Sequence, residues 1–484
     1  MQILMAASEV YPYAKTGGLA DVVGSLSQAL NRLGVRVAVV LPYYKSIERS
    51  RFELKQTGLR ISVPLGSHHE TAEIWSHDLR GVSVFLVKCD RYFDRENLYG
   101  TPEGDYPDNA ERFIFFSRAV LETARAVHLR PDLIHCHDWH TGLVPILLST
   151  FYRADAHFES SATLFTIHNL GYQGIFWHYD WPLTGLPWSL FTDQGAEFFG
   201  KINCMKAGLV FSDLLNTVSP RYAREIQTPE FGFGLDGVLR ARSGSLFGIL
   251  NGIDVEEWDP SKDPHLPRTY GFSDLSGKGA CKEGLQKELG LPVEGETPIL
   301  SSITRLTAQK GLDLLLAVFD EIMALGTQFV LLGSGDKEYE DRFKKVAEKY
   351  PLQVHVRISY DNRLAHRIEA GSDVFIMPSR YEPCGLNQMM SLRYGTVPLV
   401  RATGGLDDSV RSFSPQSGKG NGFKFKPYEA TALLTKTRQA VELYPKRPQW
   451  HRLMQNGMLG DYSWDVSAKK YLGIYRLAQK TRQG

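Results

Sequence analysis

At 484 residues the chain exceeds what one hydrophobic core usually supports, so two large domains are expected. Its 55 Lys+Arg against 54 Asp+Glu leave a formal net charge of +1, which excludes a global field drawing it to nucleic acid or to an anionic membrane. No apolar run approaches a membrane span, Met1-Gln2-Ile3-Leu4 lacks a basic leader, and Cys89, Cys136, Cys204, Cys281 and Cys384 show no CxxC pairing, so a cytoplasmic protein with reduced thiols is expected.

A strand over 2–7 runs into Lys15-Thr16-Gly17-Gly18-Leu19-Ala20-Asp21, after which a helix starts. Glycines let the backbone approach a ligand, a fresh helix end offers N–H groups, and Lys15 adds a positive charge, a combination that suits phosphate. The plainer alternative is a tight β–α turn with a surface lysine. Strands at 35–40 and 82–87 follow, then a helix through Phe113, Phe116, Ala119, Leu121 and Ala124, a strand at 132–137, a helix at 142–151 and a strand at 163–167. These last two strands run into His137-Asp138 and His168-Asn169, and open α/β sheets bind ligands at such carboxyl ends.

His135, His137, Asp138 and His140 crowd one strand end, which first suggests a metal. No cysteine or carboxylate set completes a ligand sphere, so hydrogen bonding to a sugar or phosphate is the preferred reading, with Asp138 and His168 converging on one ligand. Between 176 and 199, Trp177, Tyr179, Trp181 and Trp188 could stack on sugar, although aromatics mostly serve cores and packing is the expectation.

A hinge is placed at Asn251-Gly252-Ile253-Asp254, before a polar run at 259–279 with few apolar residues to tie it to a core. Beyond it, strands at 299–303, 328–332, 354–358, 374–377 and 397–400 alternate with helices. Residues 1–250 and 251–463 are thus expected to form two Rossmann-like, doubly wound α/β lobes with a cleft between them. In the second, Arg305 and Lys310 flank a turn before a helix, suited to two phosphates, where each such donor is worth roughly 3 kcal/mol in a water-poor site; the alternative is a solvated turn. In Met377-Pro378-Ser379-Arg380-Tyr381-Glu382-Pro383-Cys384-Gly385-Leu386-Asn387 the Glu382 carboxylate can hold sugar hydroxyls while the following helix start holds phosphate, or it merely caps. Thr403-Gly404-Gly405-Leu406 offers another glycine turn. The last segment, 466–477, places Val466, Tyr471, Ile474, Tyr475 and Ala478 near helical spacing, as a docking helix.

Taken together, the Lys15–Asp21 run, His137-Asp138-Trp139-His140, His168-Asn169, Asn251-Gly252-Ile253-Asp254, Arg305-Leu306 with Gln309-Lys310-Gly311, and Ser379–Leu386 resemble the motifs of bacterial glycogen synthases and plant starch synthases, in order along the whole chain. The resemblance implies a two-lobed, GT-B type, retaining glycosyltransferase. It puts α-1,4-glucan mainly on the first lobe and ADP-glucose mainly on the second, with helix 464–484 crossing back to the first. It further implies that Lys15, the Gly18 backbone, Asp21 and Asn251 belong to the donor site, and that Arg305 and Lys310 hold the diphosphate. His168, Asn169 and Glu382 would contact glucose, Asp138 would lie near the reacting centre or acceptor, Tyr360 would pack on adenine, and Tyr99 would belong to the acceptor loop. Cys384, Gly385, Leu386 and Asn387 would complete the donor set. The preference for ADP rests on the resemblance alone, and no metal or cofactor is implied.

Two positions depart from the family pattern: Asn387 stands where threonine is common, and Met390 occupies the second acidic position of the E-x7-E pattern of related transferases. No residue is an obvious covalent nucleophile, which favours front-side attack. The rival readings are a non-catalytic nucleotide-sugar sensor on the same fold and an NAD-linked dehydrogenase, the latter disfavoured because no G-x-G-x-x-G follows the first strand.

Overall fold

Two runs of parallel strands organise the chain. In the structure, a computed structural model that describes residues 1–101 and 103–483, these runs form two separate units, Met1–Asn251 with the terminal helix Trp464–Gln483, and Gly252–Ser463.

The first unit is built on a nine-stranded sheet in the spatial order Leu246–Gly248, Leu214–Thr217, Ala162–Ile167, Leu133–His137, Gln2–Ala6, Arg36–Pro42, Val82–Lys88, His68–Leu79, Lys55–Leu65. It is parallel except at the edge, where His68–Leu79 and Lys55–Leu65 add as an antiparallel hairpin. Every residue of Leu133–His137 and Ala162–Ile167 is buried, as expected for strands covered on both faces. The terminal helix packs Trp464, Ala468, Tyr471, Tyr475 and Ala478 inward, whereas Val466, assigned to that stripe from spacing, is exposed. Polar ties fix its register: the Tyr475 hydroxyl meets His135 Nδ1 at 2.9 Å, and the Asn216 amide donates to the Tyr471 hydroxyl at 2.8 Å.

The helix expected over 142–151 is present from Val144 to Tyr152, but as an α-helical turn, Val144–Leu147, that widens into a π-helical turn, Leu148–Tyr152; a separate tight turn, Trp139–Thr141, precedes it. The Ser149 and Thr150 hydroxyls both donate to the Ile146 carbonyl, at 2.9 and 2.8 Å, and compete with the regular backbone ladder. Of the aromatics between 176 and 199, Trp181 is fully buried while Trp177, Tyr179 and Trp188 are exposed, so the packing expectation holds for Trp181 and fails for the other three.

The second unit carries a six-stranded, wholly parallel sheet in the order Val354–Arg357, Gln328–Leu332, Ile299–Ile303, Val374–Met377, Val397–Arg401, Phe423–Phe425. The run at 259–279, expected to be loosely attached, is anchored by polar groups instead. Buried Asp263 accepts from the Tyr394 hydroxyl at 2.6 Å and meets His366 Nδ1 at 2.8 Å. The Trp258 ring stacks on His366 at 3.9 Å with planes 6° apart, and the Tyr270 hydroxyl donates to the Tyr394 carbonyl at 2.8 Å. Helix Ser276–Leu289 adds the buried Lys278, whose ammonium donates to the Ala370 and Tyr394 carbonyls and to Thr396 Oγ1 at 3.0, 3.1 and 2.8 Å. Apolar counting missed this anchor because its binding energy lies in hydrogen bonds sheltered from water. Among the described residues no helix is long and apolar enough to cross a membrane.

Removing one partner of a buried ionic cluster strands the others. Asp263→Ala is therefore expected to cost the second unit about 3 kcal/mol of stability, read from chemical denaturation; a loss under about 0.5 kcal/mol would mean that the segment is held by other contacts.

Candidate functional site

Three neighbouring parallel strands of the first unit end in Ser8-Glu9, Asp138 and His168. Asp138 has φ +57°, ψ −178°, a costly backbone for a residue with a side chain, and its geometry is set by what the carboxylate does. Oδ1 accepts the His168 N–H at 2.7 Å, and the Asn169 N–H also bonds to it. Burial pushes the Asp138 carboxyl up to about 7 despite those bonds. Asp138 thus braces the two residues assigned to a sugar.

His168 Nε2 lies 2.9 Å from His137 Nδ1, and His135 is held between the Tyr475 hydroxyl and Thr166 Oγ1 at 2.9 and 2.7 Å. Burial lowers all three imidazoles, His168 to about 3, so they act as neutral hydrogen-bonding groups. Both ring nitrogens of His135, His137 Nδ1 and His168 Nε2 serve one another and the fold, His137 Nε2 is buried without a hydrogen-bond partner among the described residues, and among those residues no three His, Cys, Asp or Glu side chains are grouped to hold a metal. Asn169 turns its Oδ1 to the Gly171 N–H at 3.0 Å. Asn251 is buried and its Oδ1 meets no partner among the described residues.

The glycine loop differs from a simple phosphate cradle. The N–H groups of Thr16 and Gly17 are taken by the Glu9 carboxylate, the latter at 3.2 Å, leaving Gly18 exposed at the start of helix Gly18–Arg32. Lys15, also exposed, pairs with Asp21 at 2.8 Å. Tyr99 points its hydroxyl inward, to Ser8 and Glu9, at 2.8 and 2.7 Å, while its ring stacks on His140 at 4.7 Å. Glu9 and Ser8 escaped the sequence reading. The signal was present in a glutamate three residues past a buried strand, a position where a carboxylate must find donors.

In the second unit, Ile299–Ile303 leads to Arg305, which is exposed and has no ion-pair partner among the described residues. Val374–Met377 leads to Glu382, whose buried carboxylate is gripped by the Lys310 ammonium at 2.7 and 3.0 Å and by the Ser379 hydroxyl at 3.0 Å. Lys310 reaches it because Gly311, at φ +67°, turns the chain against Pro378; a Cβ there would stand 2.1 Å from the Pro378 carbonyl oxygen. Gly404 has a similar task. At φ +44° its Cβ would lie 1.8 Å from the Glu382 carbonyl oxygen, and the Gly405 N–H donates to that oxygen at 3.2 Å. The second glycine turn therefore packs on the backbone that carries Glu382.

Cys384 is buried, and Gly385 and Leu386 lie half-buried before helix Asn387–Arg393. The Asn387 amide donates to the Ile303 carbonyl at 2.6 Å, tying this helix start to the adjacent strand end. Tyr360 stands apart, 79% exposed beyond Val354–Arg357. Each unit thus gathers its own set: Asp138, His168 and Asn169 with the Lys15–Asp21 loop in one, and Lys310, Glu382 and Ser379 at the start of the Asn387 helix in the other.

Comparison with known proteins agrees with this construction. Residues 2–241 match the family model of the starch synthase catalytic domain, and residues 288–456 that of glycosyl transferases group 1. A glycogen synthase from Koribacter versatilis is 49% identical over 100% of this chain and 99% of its own, and one from Anaeromyxobacter dehalogenans is 50% identical over 98% and 99%. Among solved structures, the catalytic domain of Starch Synthase IV from Arabidopsis thaliana, bound to ADP and acarbose, superposes with a TM-score of 0.92 at 35% identity, covering 99% of both chains. Sucrose-phosphate synthase from Thermosynechococcus elongatus shares the fold, with a TM-score of 0.61 at 17% identity over 98% of each chain. Built from two Rossmann-like α/β lobes of the GT-B type and similar to these enzymes from end to end, the chain belongs to the glycogen synthase and starch synthase family of glycosyltransferases.

Proposed function

We propose that the protein transfers glucose from ADP-glucose to the non-reducing 4-hydroxyl of an α-1,4-glucan, with retention of configuration, in the cytoplasm. The observation that carries this reading is the Lys310–Glu382–Ser379 cluster, with the exposed Arg305 five residues before Lys310, in a chain of this family. Arg305, exposed and without an ion-pair partner among the described residues, meets the diphosphate together with Lys310, which Glu382 holds in place. Glu382, held at both oxygens, is aligned to accept a sugar hydroxyl, and Cys384, Gly385, Leu386 and Asn387 contribute the backbone of a helix start. Tyr360 offers an exposed ring for the base. In the first unit, Lys15, Gly18, Asp21 and Asn251 serve the donor, His168 and Asn169 the glucose, Asp138 the reacting centre through the loop it braces, and Tyr99 the glucan.

In the reaction the bond between C1 and the phosphate oxygen breaks and ADP departs with the electron pair. The acceptor oxygen bonds to C1 from the same face, and its proton passes to a donor phosphate oxygen. Protein cations stabilise the charge that develops on the leaving group, and removing one such contact costs roughly 10²–10³ in kcat.

Incubation with glycogen and either ADP-glucose or UDP-glucose, in EDTA, tests the assignment. Incorporation from ADP-glucose undiminished by the chelator is expected. Donor binding without incorporation would favour a nucleotide-sugar sensor, and no interaction with either donor would refute the reading.

Glu382→Gln and Lys310→Ala each break a buried ion pair and so lower the melting temperature, but kcat is expected to fall roughly 10²-fold or more beyond what the unfolded fraction accounts for; activity lost only in proportion to unfolding would sink these roles. The Asp138 carboxyl, held up to about 7, is ionised only above that value. If the carboxylate form braces His168 and Asn169, kcat/KM rises with pH through about 7, and Asp138→Asn removes that limb. The same shift means that the folded state holds a proton which the unfolded state releases near pH 4, so this group's contribution makes stability fall as pH rises from about 4 to about 7. A profile that is flat across that range in the parent protein would overturn the assignment.

A further inference from the structure

The loop that carries Lys15 is assembled around a carboxylate to which the proposed reaction gives no part. Glu9 is 3% exposed and receives four donors. Oε1 accepts the hydroxyls of Thr16 and Tyr99, each at 2.7 Å, and Oε2 accepts the N–H groups of Thr16 and Gly17. Tyr99 has one hydroxyl proton and gives it to Glu9, so the contact at 2.8 Å between Ser8 and Tyr99 must be donated by Ser8. The Tyr99 hydroxyl is therefore fully engaged inside the unit, and its ring, stacked on His140, is what remains to face a ligand.

Two consequences follow from this geometry. The backbone donors of residues 16 and 17, which an anion would otherwise seek, already hold an internal carboxylate, so this loop meets a ligand through the exposed Lys15 side chain, itself paired with Asp21, and the exposed Gly18 rather than through those two N–H groups. The same carboxylate, through Oε1, also sets the position of Tyr99, 90 residues away in sequence from Glu9. A shift of the loop must move the ring, and a shift of the ring must move the loop.

We propose that Glu9 is a positioning residue that couples the Lys15 loop to Tyr99, so that donor contacts and glucan contacts in this unit form or fail together. The inference rests on the reading that the Lys15 loop meets ADP-glucose and Tyr99 meets the glucan. A carboxamide at position 9 keeps the size but puts N–H where donors point at an oxygen, so Glu9→Gln breaks the link with minimal change of volume.

The test is steady-state kinetics with ADP-glucose and glycogen varied separately, together with thermal unfolding, for Lys15→Ala, Glu9→Gln, Tyr99→Phe and the Glu9→Gln/Tyr99→Phe double variant. Glu9→Gln is expected to raise KM for both substrates roughly tenfold or more with the fold intact. Tyr99→Phe removes only an inward-facing hydroxyl, yet it should raise the KM for ADP-glucose as well as for glycogen. The double variant should be no worse than Glu9→Gln alone, because both substitutions break one connection. Unchanged KM values in Glu9→Gln, an effect of Tyr99→Phe confined to glycogen, or fully multiplicative losses in the double variant would each overturn the proposal. Should Glu9→Gln fail to fold, the effect of Tyr99→Phe on ADP-glucose decides alone. An ADP-glucose KM unaltered by Lys15→Ala would instead refute the donor role of the loop, a failure of the underlying reading that is distinguishable from loss of the coupling.

Discussion

A parallel sheet buried on both faces can present polar chemistry only where its strands end, and that constraint places the central candidate groups of both units. Leu133–His137 and Ala162–Ile167 are buried at each position, and the first residues past them are Asp138 and His168. In the other unit Ile299–Ile303 and Val374–Met377 release Arg305 and, a few residues on, Glu382. Because neighbouring parallel strands point the same way, residues more than a hundred positions apart arrive at one end of a sheet with no contact between them needed to bring them there.

Acidic groups delivered to such a place need donors, and here each has found its own, although burial still holds the Asp138 carboxyl up to about 7. Glu9 takes two backbone N–H groups and two hydroxyls, Asp138 takes two backbone N–H groups, and Glu382 takes an ammonium and a hydroxyl. An unpaired buried charge costs several kcal/mol, so these loops are fixed by the need to satisfy a carboxylate as much as by apolar packing. The same device recurs at Asp263, where it fastens a segment that has little apolar surface to offer.

The two units share a plan and differ in its use. Each places a glycine turn between a strand and a helix, but in the first the loop N–H groups at residues 16 and 17 close on an internal carboxylate, and in the second Gly404 and Gly405 close on the backbone that carries Glu382. In both, glycine permits close approach of protein to protein before it permits approach to a ligand. The histidines of the first unit follow the same logic: crowded at one strand end, they bond to one another, to Thr166 and to a tyrosine from the terminal helix.

Much of this was legible in the chain. Strands such as 299–303, 328–332 and 374–377 announce themselves by short apolar runs that end in polar or glycine residues, and the order of motifs from Lys15 to Leu386 names the family. Local patterns misled where a short-range rule met a long-range partner. Ser149 and Thr150 lie where an expected helix widens into a π-helical turn, Val466 fell outside the buried face of the terminal helix, and the run at 259–279 owes its attachment to His366 and Tyr394. The amino-acid sequence alone determined the strand–turn–helix alternation and which residue types stand at the strand ends, since both depend on local periodicity and turn chemistry. Only the tertiary structure decided that Glu9 holds the Lys15 loop and Tyr99, that Asp138 braces His168, and that Lys310 closes on Glu382. Which donor satisfies which buried carboxylate depends on the lateral order of strands and the path of loops, and neither is written in the spacing of residues along the chain.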